Sequence, residues 1–225
     1  LVIPSDLMNP DDPTKLADGL SFRSGKVINR FNNLMKKVVP LLVKYGGFYI
    51  SVANEVDVYL ENHGAWNEFE YFLEKTRIKI RKLAPDLAVG ATITFFGIEN
   101  HPEKVKSLLD LCDAACFTYY ANNPELTVKN MSQVPKDVAK MVEAAGNKQV
   151  LFQEAGCHSG YKSNSPSGAS EKKQKIFIRK FFRAVRKYPQ IRFVSIFKLI
   201  DWNDEITDFL MSRYGMDGAN VDPEY

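Results

Sequence analysis

The sequence predicts an α/β fold in which helices cover a parallel sheet, and three observations carry that prediction. Short apolar, β-branched runs alternate with amphipathic runs of helical period along the chain. No change of composition and no low-complexity linker divides it. No glycine-rich phosphate loop follows any strand-like run. The alternation is the pattern of strands buried by crossover helices. The uniform composition argues for one domain over residues 1–225. The missing loop disfavours a dinucleotide-binding sheet. An open doubly wound sheet and a (β/α)8 barrel both fit, with about six βα units present, two short of a barrel.

The elements follow in order. "LVIP" (1–4) opens as a strand, and a polar loop rich in Asp, Pro and Gly succeeds it. A helix is expected over 26–45, where Val27, Ile28, Phe31, Leu34, Met35, Val38 and Leu42 recur every three or four residues and Gly46-Gly47 ends it. A strand over 48–55 comes next, then a helix over 66–83 closed by "APD". The same alternation gives a strand at 88–95, a helix at 102–112, a strand at 114–120 and a helix at 135–146. A strand at 149–156, a helix at 170–188 and a final strand at 192–202 complete it.

Composition narrows the classes. With 45% hydrophobic and 25% charged residues among 225, the chain has material for one sizeable core. The net charge of +3 is slight, and the basic run Glu171–Lys187 carries apolar residues at helical spacing. It reads as the solvated face of an amphipathic helix, not a nucleic-acid patch. No apolar run approaches the roughly 18 residues of a membrane span. Cys112, Cys116 and Cys157 form no disulfide framework or zinc-ligand pair, and Cys112 and Cys116 read as small core residues. His63, His101 and His158 are scattered. No metal or other cofactor is expected.

In a parallel barrel the reactive groups stand at the C-terminal strand ends. The strand at 48–55 delivers Asn54 and Glu55; the strand at 114–120 delivers Tyr119 and Tyr120. The strand at 149–156 delivers Glu154, and the last delivers Phe197, Asp201 and Trp202. Two carboxylates suit glycosidic bond cleavage, one protonating the departing oxygen while the other attacks the anomeric carbon or activates water. Aromatic faces stack on sugar rings, and a phenol can hold a carboxylate ionised. Asp57, Tyr161, Asn122 and Asn123 follow these strands on loops from which they could contact sugar, but the preferred reading of each is a solvated loop residue, while Asp113, Glu99 and Asp204 read as structural or surface groups.

In "ISVANEVDVYL", in the tyrosine-ended strand, in "QEAGCHSGYKSNSPSGASEKKQ" and in the closing "RYGMDGANVDPEY", the chain resembles the large clan of retaining glycoside hydrolases on (β/α)8 barrels, which includes family 5 cellulases, family 10 xylanases and family 53 galactanases. The resemblance covers nearly the whole chain. It implies Glu55 as acid/base at the end of strand four and Glu154 as nucleophile at the end of strand seven. It implies Asn54 as a ligand of the sugar 2-hydroxyl and Tyr120, or failing it Tyr119, as support for the nucleophile. Phe197 falls where the clan usually has its tryptophan platform, with Trp202 a few residues later. On this numbering "LVIP" is strand three, and the first two strands and the clan's strand-two arginine lie outside the chain. The expectation is then an N-terminally truncated barrel whose gap is closed by a longer polypeptide, the N-terminal loop or a partner subunit. An extracellular or periplasmic address would need a signal upstream. A carbohydrate-binding barrel without turnover, and an unrelated α/β domain in which the carboxylates merely cap strands, are the competing readings.

Overall fold

The computed structural model describes residues 16–124, 127–159 and 168–197. The expected strand at 1–4, Tyr161, Asp201, Trp202 and Asp204 lie outside them.

Helix α1 (Gly25–Lys44) turns Val27, Phe31, Met35 and Val39 into the core, one residue per turn on one face. It ends as the two glycines require. Gly46 is left-handed (φ 78°) and its N–H bonds to the Val43 carbonyl, while the Gly47 N–H bonds to the Leu42 carbonyl at 2.8 Å. Such a paired closure satisfies two otherwise orphaned carbonyls.

Strand β1 (Tyr49–Ser51) is shorter than the expected 48–55, because the chain bends at Val52 and enters helix α2 (Val56–His63), which the sequence pattern did not predict. Helix α3 (Trp66–Leu83) agrees with expectation. The strand expected at 88–95 divides at Ala91 into β2 (Ala88–Gly90) and β3 (Thr92–Thr94) and passes directly into a second unpredicted helix, α4 (Phe95–Asn100). Thr94 caps α4 by accepting from the Gly97 N–H at 2.9 Å. Then come α5 (Pro102–Asp110), β4 (Ala115–Tyr120), α6 (Val134–Ala145), β5 (Val150–Gly156), α7 (Glu171–Val185) and β6 (Ile191–Ile196). None of the helices among the described residues is long and apolar enough to cross a membrane.

All strand pairs are parallel: β1 with β2, and β3, β4, β5 and β6 in sequence. The Val52 N–H to Gly90 carbonyl and Thr92 N–H to Ala53 carbonyl bonds, both 2.8 Å, carry the ladder past the break. The series β1, β2/β3, β4, β5, β6 is therefore continuous. Laid flat, its outer strands would stand about 19 Å apart, at roughly 4.8 Å per interval. Instead the rings of Phe48, just before β1, and Phe193, on β6, meet at 5.9 Å between centroids. The sheet is rolled.

Alternation assigns its two faces. Ile93, Phe117, Tyr119, Phe152 and Ala155 point outward into the main core with Phe177 and Phe181 of α7. The basic run thus buries Phe177, Phe181 and Ala184, and its charged positions lie on the other side of α7. Inward, Tyr49 packs with Ala114, Cys116 and Leu151, and above them stand Ser51, Thr92 and Gln153, joined by hydrogen bonds. Cys112 and Cys116 are buried, as expected of core residues.

One polar cluster ties the helix layer to the sheet. Asp113 accepts from Arg77 (2.5 Å) and Arg81 (2.6 Å) of α3 and from the Val89 N–H (3.0 Å). Burial alone would raise its pKa, but the Arg77 bond, the Val89 N–H and the two guanidinium charges outweigh burial and lower it. A lowered carboxylate pKa stabilises the fold above the unfolded value and loses that contribution as pH falls through the folded one. Asp113→Asn should cost about 1–2 kcal/mol at pH 7 by urea denaturation, with the deficit shrinking toward pH 3.

Candidate active site

The site begins where β1 ends. Glu55 adopts φ 49° and ψ 42°, the only non-glycine residue with positive φ among the described residues. That region costs an L-residue about 1–2 kcal/mol, so the surroundings must hold it there. Asp57 supplies the hold. Its carboxylate accepts from the Thr94 N–H (2.9 Å) and Oγ1 (2.5 Å), tying the first turn of α2 to the β3–α4 junction. Gly97 makes room, since a Cβ there would lie within 3.0 Å of the Asp57 carboxylate. Asp57 is buried, which corrects its reading as a solvated loop residue.

The turn carries Glu55 off the strand and brings its carboxyl to the Thr118 hydroxyl on β4. Burial raises the Glu55 pKa; the Thr118 bond opposes this, and the charges of Glu154 and Asp57 add to it. The balance of these causes moves its titration upward from the ordinary carboxylate range.

Glu154 reaches the same place by an irregularity in β5. Phe117 is in register with Phe152 and Thr118 with Glu154, so Gln153 is the extra residue of a bulge. Strict alternation would send one of Gln153 and Glu154 outward. The bulge turns both to the inner face. Glu154 thereby sits beside Thr118, the residue that Glu55 meets, and accepts from the Tyr120 hydroxyl at 2.6 Å. Burial first, then the bond to Glu154 and the two carboxylate charges push the Tyr120 pKa upward, so the phenol keeps its proton and acts as a donor.

Phe197, directly after β6, packs edge-on against Tyr120 (5.9 Å, 82°). Gly156 permits this packing, because a Cβ would lie 2.9 Å from Tyr120 Cε1. Gly156→Ala should therefore displace the Tyr120 ring from Glu154. It should lose about 1–3 kcal/mol of stability by overpacking, read as a lower melting temperature.

Asn54 is exposed, and its Oδ1 accepts from Gln153 Nε2 at 2.8 Å. Glu55, Glu154, Asn54, Tyr120 and Phe197 are thus gathered at one end of the rolled sheet. Tyr119 is not among them. One residue from Tyr120 on the same strand, it faces the helices, is fully buried, and donates to Asp137 of α6 at 2.8 Å. It therefore neither supports the nucleophile, the fallback role the resemblance implied, nor reaches a substrate. Asn122 is buried and Asn123 bonds to Thr127, so neither is a free loop group. Among the described residues no three metal-ligating side chains cluster. Thr118, Gln153 and Asp57 are the polar residues of the site that the sequence did not single out as such. Gln153 precedes Glu154 and Asp57 lies two residues after Glu55, whereas nothing in the sequence signalled Thr118.

No protein-family model matches the chain, and no curated protein does. Solved structures do. The β-D-glucuronidase of Dictyoglomus thermophilum superposes with a TM-score of 0.57 at 18% identity, over 81% of this chain and 31% of its own. The β-glucuronidase of Ruminococcus gnavus gives 0.56 at 14%, over 81% and 31%. A GH2 β-galacturonidase from Eisenbergiella tayi bound to galacturonate gives 0.56 at 15%, over 82% and 32%. At such identities the likeness is one of fold, and the chain spans about a third of the length of these proteins.

Proposed function

We propose that this chain carries the catalytic centre of a retaining β-glycosidase on a (β/α)8 barrel, with Glu154 as nucleophile and Glu55 as acid/base. The observation that carries the reading is a pair of carboxyls near enough for the Glu154 charge to act on Glu55, in unequal settings, one raised in pKa by burial, the other held by a phenol donor. Unequal settings divide acid from nucleophile in glycoside hydrolysis. The fold likeness to β-glucuronidases and a β-galacturonidase supports a glycoside hydrolase relationship.

In the first step the Glu154 carboxylate forms a bond to the anomeric carbon as the glycosidic bond breaks, and protonated Glu55 gives its proton to the departing oxygen. In the second, Glu55, now ionised, removes a proton from water as that water displaces Glu154. The sugar keeps its configuration, and Glu55 ends protonated as it began. Asn54 donates to the 2-hydroxyl, a contact that strengthens in the transition state. Phe197 offers an apolar face to the ring. Counting β2 and β3 as one interrupted strand, β1, β2/β3, β4, β5 and β6 stand for barrel strands four to eight.

The test is covalent trapping. A panel of 2-deoxy-2-fluoro β-glycosides, including glucuronides and galacturonides, should inactivate the protein and leave one sugar on the peptide bearing Glu154. Sugar binding by calorimetry with no label and no turnover across the panel would favour a binding protein instead.

A further inference from the structure

We propose that Gln153 is a positioning residue, which aims the Asn54 amide at the substrate through a hydrogen-bond relay crossing the inner face of the sheet. What Asn54 does rests on the glycosidase reading above. How it is held rests on geometry alone.

The relay starts at Ser51 on β1, whose hydroxyl lies 2.7 Å from both the Ala53 carbonyl and Thr92 Oγ1. Thr92, on β3, donates to Gln153 Oε1 at 2.7 Å. Gln153, on β5, donates from Nε2 to Asn54 Oδ1 at 2.8 Å, across 99 positions of sequence. The Cys116 thiol lies beneath, 3.4 Å from Thr92 Oγ1 and 3.9 Å from Gln153 Oε1.

The chemistry of amides makes the chain directional. A glutamine carries one acceptor oxygen and one NH2 donor. With Oε1 engaged by Thr92, Nε2 is the end presented to Asn54. With Asn54 Oδ1 engaged by that donor, its NH2 is the end left to face a sugar hydroxyl oxygen. Asn54 is itself exposed, and the terminal torsion of an asparagine is broad, so without an anchor its amide would turn freely. The anchor exists only because of the bulge. One inserted residue lets Gln153 serve Asn54 while Glu154, its neighbour, meets Tyr120. One irregularity in β5 thus sets both the nucleophile and the group that reads the substrate.

The experiment uses Gln153→Met, close in size but without the amide, and the pair Thr92→Val and Thr92→Ser. On an aryl β-glycoside with its 2-hydroxyl, Gln153→Met should lower kcat/KM by about 10²-fold, chiefly through kcat, with an unchanged melting temperature. Turnover of the 2-deoxy analogue should change little, and Gln153→Met should add nothing in an Asn54→Ala background. Thr92→Val should follow Gln153→Met, and Thr92→Ser should restore activity. Full activity of Gln153→Met, or additive losses in the double variant, would overturn the assignment. A second readout needs no turnover. The Asn54 side-chain amide signals in NMR, identified by their loss in Asn54→Ala, should be dispersed in the parent and move to solvent-exposed values in Gln153→Met. If they stay put, the relay does not hold Asn54, whatever the activity. If they move but the parent cleaves no glycoside, the relay stands and the glycosidase reading falls.

Discussion

Glu154→Ala should reduce kcat on aryl β-glycosides by about 10⁴-fold or more, a loss typical of removing a group that bonds to the reacting atom. The protein should remain folded, because Glu154 is only partly buried and its hydrogen-bond partner among the described residues, Tyr120, is part-exposed and can turn to water. The side chain removed leaves a gap beside the anomeric carbon, so a small anion can take its place. Added azide should restore turnover and give the α-glycosyl azide, since the azide attacks from the face Glu154 used and Glu55 still protonates the leaving group. Unchanged kcat in Glu154→Ala would remove the double displacement outright. A rescued product of β configuration would assign the attacking face to another residue.

Much of this arrangement was legible in the sequence, for reasons that differ by element. The long helices α1, α3 and α7 show three to five turns of apolar periodicity each, and their boundaries fell within a few residues of the expected ones. Helices α2 and α4 have eight and six residues, too few for a periodic stripe to separate from chance. Asn54 and Glu55 at one strand end and Glu154 at another could be read because strand direction decides where an end lies. The split of Tyr119 from Tyr120 could not. Adjacent residues on a strand face opposite ways, but the sequence does not say which way the first one faces. Two tyrosines in a row suit either phase. The structure sends Tyr119 to Asp137 among the helices and Tyr120 to Glu154. The bulge is hidden for a related reason. An extra residue in one strand shows only against its partner, and "LFQEAG" alone reads as ordinary alternation. Gln153 therefore passed as a strand residue while carrying the link to Asn54. Asp57 was read as solvated because its partners, the Thr94 N–H and hydroxyl, come from the β3–α4 junction 37 residues away.

Removing the Glu55 charge should weaken catalysis and strengthen the fold, in a way that pH exposes. A carboxyl whose folded pKa is raised binds more protons in the folded state than in the unfolded one, between the unfolded value near 4.3 and the raised value. Stability contributed by this group therefore falls as pH climbs through that window and stays reduced above it. Glu55→Gln keeps the shape and abolishes the titration. It should raise stability at pH 7 by up to about 1 kcal/mol, a gain limited by the partial exposure of the group, and should raise nothing at pH 3.5. Glu55→Gly should add a separate backbone term at both pH values. Glycine occupies φ 49° without strain, though it also gives the unfolded chain more freedom. Urea denaturation of the three proteins at the two pH values separates charge from strain. Activity should move the other way. In the parent, kcat/KM should fall on the alkaline side as Glu55 loses its proton. Glu55→Gln should flatten that limb and lose most activity on glycosides with poor leaving groups, while a dinitrophenyl glycoside, which needs no proton, should still be attacked by Glu154. Equal stability of parent and Glu55→Gln at pH 7, together with an alkaline limb that survives the substitution, would take the acid role away from Glu55 and leave the left-handed turn at the end of β1 without a chemical purpose.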